Sequence, residues 1–245
     1  MLTIPKHILK ANIQSEILKY TWNDWQLSDI FDEYDKNLYT TLDEKLSQRA
    51  VLAYTTAVAE WVVFRYEKLS NDPIPLHHLD ACWAGVADGR YFHYWEPSDE
   101  NWTGSVRGPI SMAIIFTIEA GVQIADDTHS ALSAARITKI AEHILPNLAT
   151  FNDWQSIVIS RLLEYYSLNV KDTFGDVVPR EIFDPSFKFN FDLEEIEQLV
   201  NNSLKSLDYE KNRFLNSPQE IIGQGFIGTP YTFSIKQDRE NRADW

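Results

Sequence analysis

Over 41–69 the apolar positions stop alternating with polar ones and fill nearly every direction around a helix axis. Ala50, Val51, Leu52, Ala53, Ala57, Val58, Trp61, Val62, Val63 and Phe64 leave only a thin polar seam of Arg49, Thr56, Glu60 and Glu67, with Arg65 on the opposite side. An all-round apolar helix is buried, either in a bilayer or in a protein core. The charges of Arg49, Glu60 and Arg65 argue against the bilayer, where each central charge costs about 3 kcal/mol even on a lenient insertion scale. Thr41 and Glu44 have the spacing of a capping box. The pattern therefore predicts one central helix over 42–69 around which others pack. Arg65 is expected to reach solvent or to form a buried pair, with Glu119 its best candidate partner.

On either side the period changes. Pro5 at a first-turn position, with Ile4, Ile8, Ile13, Ile17 and Leu18, predicts an amphipathic helix to about residue 20. The stretch 22–36 interleaves Trp22, Trp25, Leu27, Ile30, Phe31 and Tyr34 with carboxylates and has room for one short helix after Ser28. The prolines at 73 and 75 end the central helix and open a shorter one over 76–87, closed by Asp88 and Gly89. From 90 to 107 the pattern is irregular and aromatic, as in a long ordered loop. Gly108 and Pro109 then lead into a second, nearly all-apolar helix over 110–125, expected to pack directly on the first. Helices over 131–145, stopped by Pro146, and from an Asn152 or Asp153 cap to Tyr166 complete a helical core of about 42–168.

After residue 168 the chain is less regular. Phe187, Phe189 and Phe191 alternate, as do Tyr231, Phe233 and Ile235, and the two runs could form a minimal β pair. Between them 192–207 reads as an acidic amphipathic helix. The fold class that follows is mainly α, a single domain over 1–245 with an irregular C-terminal part from 169.

Charge narrows the function classes. The net charge is −14, and between residues 23 and 44 Asp24, Asp29, Asp32, Glu33, Asp35, Asp43 and Glu44 face only Lys36. A field of that sign repels nucleic acid and anionic lipid and attracts basic proteins. The expected partner is a basic protein, with no nucleic acid and no membrane. One cysteine, Cys82, forms no internal disulfide, and the N-terminus lacks a basic start followed by an apolar run, so the expected location is the cytoplasm.

Motifs with chemistry attached do not hold up. Gly223, Gly225 and Gly228 match the dinucleotide fingerprint in letters, but a proline and an alternating run follow where a helix must begin, so a flexible turn is expected. His77, His78, Asp80 and Cys82 bring at most two ligands onto one helix face. Asp127 reads as a helix cap. A helical metal-dependent enzyme built on Glu60, Glu119, Asp126 and histidines is the alternative, and it requires the two central helices to align those carboxylates. No cofactor, metal ligand set or catalytic residue is assigned.

Two stretches remain as candidate partner-binding surfaces. The first holds Trp25, Asp29, Asp32, Glu33 and Asp35. The second holds Tyr91, Tyr94, Trp95, Glu96, Asp99, Glu100 and Trp102. Aromatics anchor interfaces, and surrounding carboxylates steer a basic partner and speed association. The leading expectation is a non-enzymatic acidic protein-binding module, an inhibitor or immunity-type protein that neutralises a basic toxin or nuclease.

Overall fold

Every residue of the helix Gln48–Arg65 is buried, which is what its all-round apolarity requires. The computed structural model describes residues 2–95, 97, 101–125, 130–188, 190 and 192–242. In chain order its α-helices are α1 (Lys6–Ala11), α2 (Ser28–Phe31), α3 (Lys36–Lys45), α4 (Gln48–Arg65), α5 (Ile74–Ala87), α6 (Gly104–Ala125), α7 (Ala131–Ile144), α8 (Leu148–Tyr165), α9 (Leu193–Lys205), α10 (Pro218–Gly223) and α11 (Ile235–Arg242). The protein is mainly α. Helix α4 packs chiefly on α6 and α7, with α5 on a further side, and α6 also packs on α7.

The expected helix over 42–69 is two helices. Leu46 is extended and bridges Ser167, and Ser47, not Thr41, is the cap of α4, its hydroxyl accepting from the amide of Ala50. Asp35 caps α3 through the amides of Asn37 and Leu38. A serine cap costs little to place within an amphipathic run, so periodicity passes over it. Asn12, in the left-handed region at φ +49°, likewise ends α1 nine residues before the expected limit.

Helix α6 begins at Gly104 and carries Pro109 inside it. A proline there removes the amide that would bond the carbonyl of Ser105. The Tyr20 hydroxyl donates to that carbonyl instead, and the Tyr66 hydroxyl meets Tyr20 in turn. By length and composition Gly104–Ile124 is long and apolar enough to cross a membrane, and most of it is buried against the other helices of this core.

Helix α8 starts at Leu148, capped by Asn147 and not by Asn152 or Asp153. The expected β pair is not observed where it can be checked. Tyr231 sits at φ +59°, Ile235 opens α11, and residues 189 and 191 lie outside the described residues. The C-terminal part instead forms a second apolar cluster, in which Phe214, Leu215, Phe226 and Phe233 pack against Ala81, Ala84 and Tyr91 of the helical core. Of the glycine run expected to form a turn, Gly223 instead ends α10, and Gly225 and Gly228 take positive φ after it.

Candidate functional site

The first acidic stretch is anchored by its apolar residues and presents its acids. Asp24 accepts from Trp22 Nε1 and from the amide of Gly104, both at 2.8 Å, tying the segment to the start of α6. Gly108 makes this docking possible: a Cβ there would lie 2.1 Å from Trp22 Nε1. Phe31 meets Phe116 edge-on at 5.4 Å, and the Arg136 guanidinium lies over Phe31 while donating to Asp32 at 2.6 Å. Asp29, Asp32, Glu33 and Asp35 are all exposed.

Trp25 is the exception among the aromatics here. The side chain and carbonyl of Asn23 accept from the amides of Trp25 and Gln26, and this turn leaves the indole 95% exposed. Most large apolar side chains of this protein are buried, so an indole left in water among four exposed carboxylates is the feature of this face that needs an explanation.

The second stretch is differently placed. Tyr91 and Trp102 are buried: Tyr91 packs against Phe226 and Tyr231, and its hydroxyl accepts from the amide of Tyr231. Trp95 is half-buried between Trp102 and Phe214, with Arg213 over its ring. The Asn216 side chain donates to the carbonyls of Arg90 and Phe92 and so clamps the loop onto the C-terminal cluster. Tyr94 alone of these four aromatics is well exposed, at 55%. Tyr91 and Trp102 therefore belong to the core and not to a surface: residues 214–233 cover Tyr91, and Trp102 packs into the main helical core beside Trp95. Glu96, Asp99 and Glu100 lie outside the described residues.

The buried charges are held by protein groups. Glu60 accepts from Trp83 Nε1 and Arg180 Nε, each at 2.7 Å. Burial pushes its carboxyl above the usual range, with Arg180 opposing the shift. Glu119 accepts from Ser133, so neither carboxylate meets the other through these bonds. Arg65 is buried, and its guanidinium donates to the carbonyls of Ser15, Ile17 and Ile144. It neither reaches solvent nor pairs with Glu119; its charge sits at the C-terminal end of two helices, where carbonyls have no helical partners.

His78 Nε2 lies 2.8 Å from Thr117 Oγ1 and 3.2 Å from Cys82 Sγ. The Thr117 hydroxyl also lies within hydrogen-bonding distance of the carbonyls of Ala113 and Ile114, which can only accept. Burial holds His78 down at about 3 and pushes the Cys82 thiol up to about 12. A thiol so held is a poor nucleophile. Among the described residues no three His, Cys, Asp or Glu side chains are grouped so as to hold a metal ion, and Asp126 lies outside them.

Comparison of the chain with known protein families, with curated proteins and with solved structures finds no match.

Sequence reasoning missed the charged cluster at the far end of α4. Arg49 donates to Asp238, which Arg242 also reaches at 3.1 Å, and to the carbonyl of Ala87. An arginine in the polar seam of an apolar helix was the available signal; its partner lies too far along the chain to be paired with it by pattern.

Proposed function

We propose that this chain is a non-enzymatic acidic protein-binding module, most concretely an inhibitor or immunity-type protein that seats on a basic partner, such as a bacterial toxin or nuclease, and neutralises it. The observation that carries the proposal is the Trp25 indole, 95% exposed beside the exposed Asp29, Asp32, Glu33 and Asp35 on a segment pinned to the core. An exposed indole carried on a fixed backbone turn offers a large contact area, and tryptophan is among the usual residues of a binding hot spot. The carboxylates supply the long-range field that brings a cationic partner in, consistent with a net charge of −14. Asp32, already paired with Arg136, offers an acceptor that a partner arginine can share or take over.

The effect on the partner follows from geometry of the same kind. A basic toxin or nuclease binds its anionic substrate through lysines and arginines, and a complementary acidic face occupies those groups directly. A cytoplasmic location suits this reading, since Cys82 is the one cysteine and is buried. The test is purification of the chain from its source cell under native conditions, with co-purifying proteins identified by mass spectrometry. The proposal expects a stoichiometric basic partner that Trp25→Ala and the Asp29→Lys, Glu33→Lys double variant each release. A basic partner retained by both variants contradicts it.

A further inference from the structure

Two helical glycines, Gly85 on α5 and Gly121 on α6, have no packing reason to be glycine. A glycine inside a helix is explained when a neighbouring backbone comes too close for a side chain, or when the backbone is left-handed. Neither holds here. A Cβ built on Gly121 meets no atom within 4 Å, one on Gly85 meets only Phe92 at an ordinary 3.5 Å, and neither residue has a positive φ. Alanine would fit at both positions and is the better helix former. What the two glycines leave is room.

That room is a hollow of about 300 Å³ between α4, α5 and α6, which both glycines line. Among the described residues its walls are mostly apolar, from Leu52, Val86, Phe92, Ile118 and Ile124. Val122 and Gln224 are exposed at its edge, so it opens to solvent. The polar side chains of the inner wall are committed to other protein groups. Arg90 donates to both oxygens of Asp88, and the Arg49 Nη groups donate to Asp238 and the Ala87 carbonyl. Thr117 and Cys82 lie within hydrogen-bonding distance of His78. Walls of this kind reward apolar area and offer a charge nothing in exchange for its water. The volume is about twice the 150 Å³ that accepts one benzene ring in an apolar cavity, which suits two fused rings.

We infer that this hollow binds a small neutral molecule with a compact apolar body the size of two fused rings, seated against Leu52, Val86 and Ile118, with any polar substituent at the mouth beside Gln224. Thr117 lies about 20 Å along α6 from Gly104, where the Trp25 segment docks. The site is therefore separate from the Trp25 face and stands whether or not that face binds a protein.

The test is calorimetric titration of the full chain with 2-naphthol at neutral pH, where it carries no charge. Phenol is the one-ring counterpart, and 2-naphthoate has the same two rings with an anionic head. 2-Naphthol binds saturably, one to one, and raises the melting temperature. Phenol binds about tenfold more weakly or worse, because the area of the second ring is not buried. 2-Naphthoate also binds about tenfold more weakly, because its carboxylate loses water without gaining a partner. Gly121→Leu fills the hollow and abolishes 2-naphthol binding while the helical circular dichroism stays that of the parent. The inference is overturned if the parent chain takes up no 2-naphthol, if Gly121→Leu binds it as the parent does, or if phenol or 2-naphthoate binds as tightly. Should Gly121→Leu fail to fold, the three ligands compared on the parent chain still decide.

Discussion

Asp238 lies 189 residues from Arg49 in the chain and 2.8 Å from it in space, both side chains almost wholly buried. This pair closes the C-terminal helix α11 onto the central helix α4. Breaking a buried pair from one side leaves the other charge unpaired, at a cost of about 3–5 kcal/mol. Asp238→Ala should therefore lower stability by about 3 kcal/mol, a little softened because Arg49 also holds the Ala87 carbonyl. Urea unfolding followed by circular dichroism measures it. A loss under half that would mean that α11 is not a structural strap.

The Tyr20 hydroxyl stands in for the amide that Pro109 lacks. Tyr20→Phe leaves the Ser105 carbonyl unbonded and should cost about 1–2 kcal/mol. In a Pro109→Ala background, residue 109 supplies its own N–H to that carbonyl, and the same Tyr20→Phe change should cost less. The double-mutant cycle reads the difference, and equal costs in both backgrounds would remove the compensation.

Gly108 is where the acidic segment depends on the core without touching a partner. Gly108→Ala places a methyl where the Trp22 indole now sits, so the indole or the segment must move. The expected loss is about 1–3 kcal/mol, typical of overpacking, despite the better helix propensity of alanine. Binding of the partner should weaken with it, because Trp22 and Asp24 fix the turn that carries Trp25. A variant as stable as the parent would show that Trp22 has room to shift.

Acid should destabilise the fold partly through His78. Its folded-state pKa of about 3 lies below the ordinary 6.5, so the unfolded state binds the extra proton. The stability it contributes is complete above pH 6.5 and is lost as the pH falls toward 3, by about 1.4 kcal/mol for each pH unit. His7, held down at about 4, adds in the same direction. Stability of the parent and of His78→Gln compared between pH 7 and pH 5 isolates the His78 share. The variant should show the shallower loss, and parallel curves would contradict the assignment.

The buried helices were legible from residue pattern alone, because α4 and the later part of α6 are apolar in every direction and only a core satisfies that. Helix limits marked by proline were legible too, at 73 and 75 before α5 and at 146 after α7, whereas the polar limits at Asn12, Ser47 and Asn147 were not, because such residues also occur inside helical runs. Contacts made by distant groups were not legible either. Nothing near Pro109 announces that Tyr20 will bond the Ser105 carbonyl, and nothing near Tyr91 shows that residues from 214 onward cover it. The acidic Trp25 face could be proposed from sequence because charge and aromatics are local. The cavity could not, because it is made by side chains that Gly85 and Gly121 do not have.

The most direct test of the acidic-face account is native co-purification with the parent chain and with Trp25→Ala. The account predicts a basic protein bound in equal amount to the parent and lost, or weakened by more than about tenfold, from the variant, since truncating a hot-spot tryptophan costs about 2 kcal/mol or more. A basic partner held equally by both proteins would contradict it.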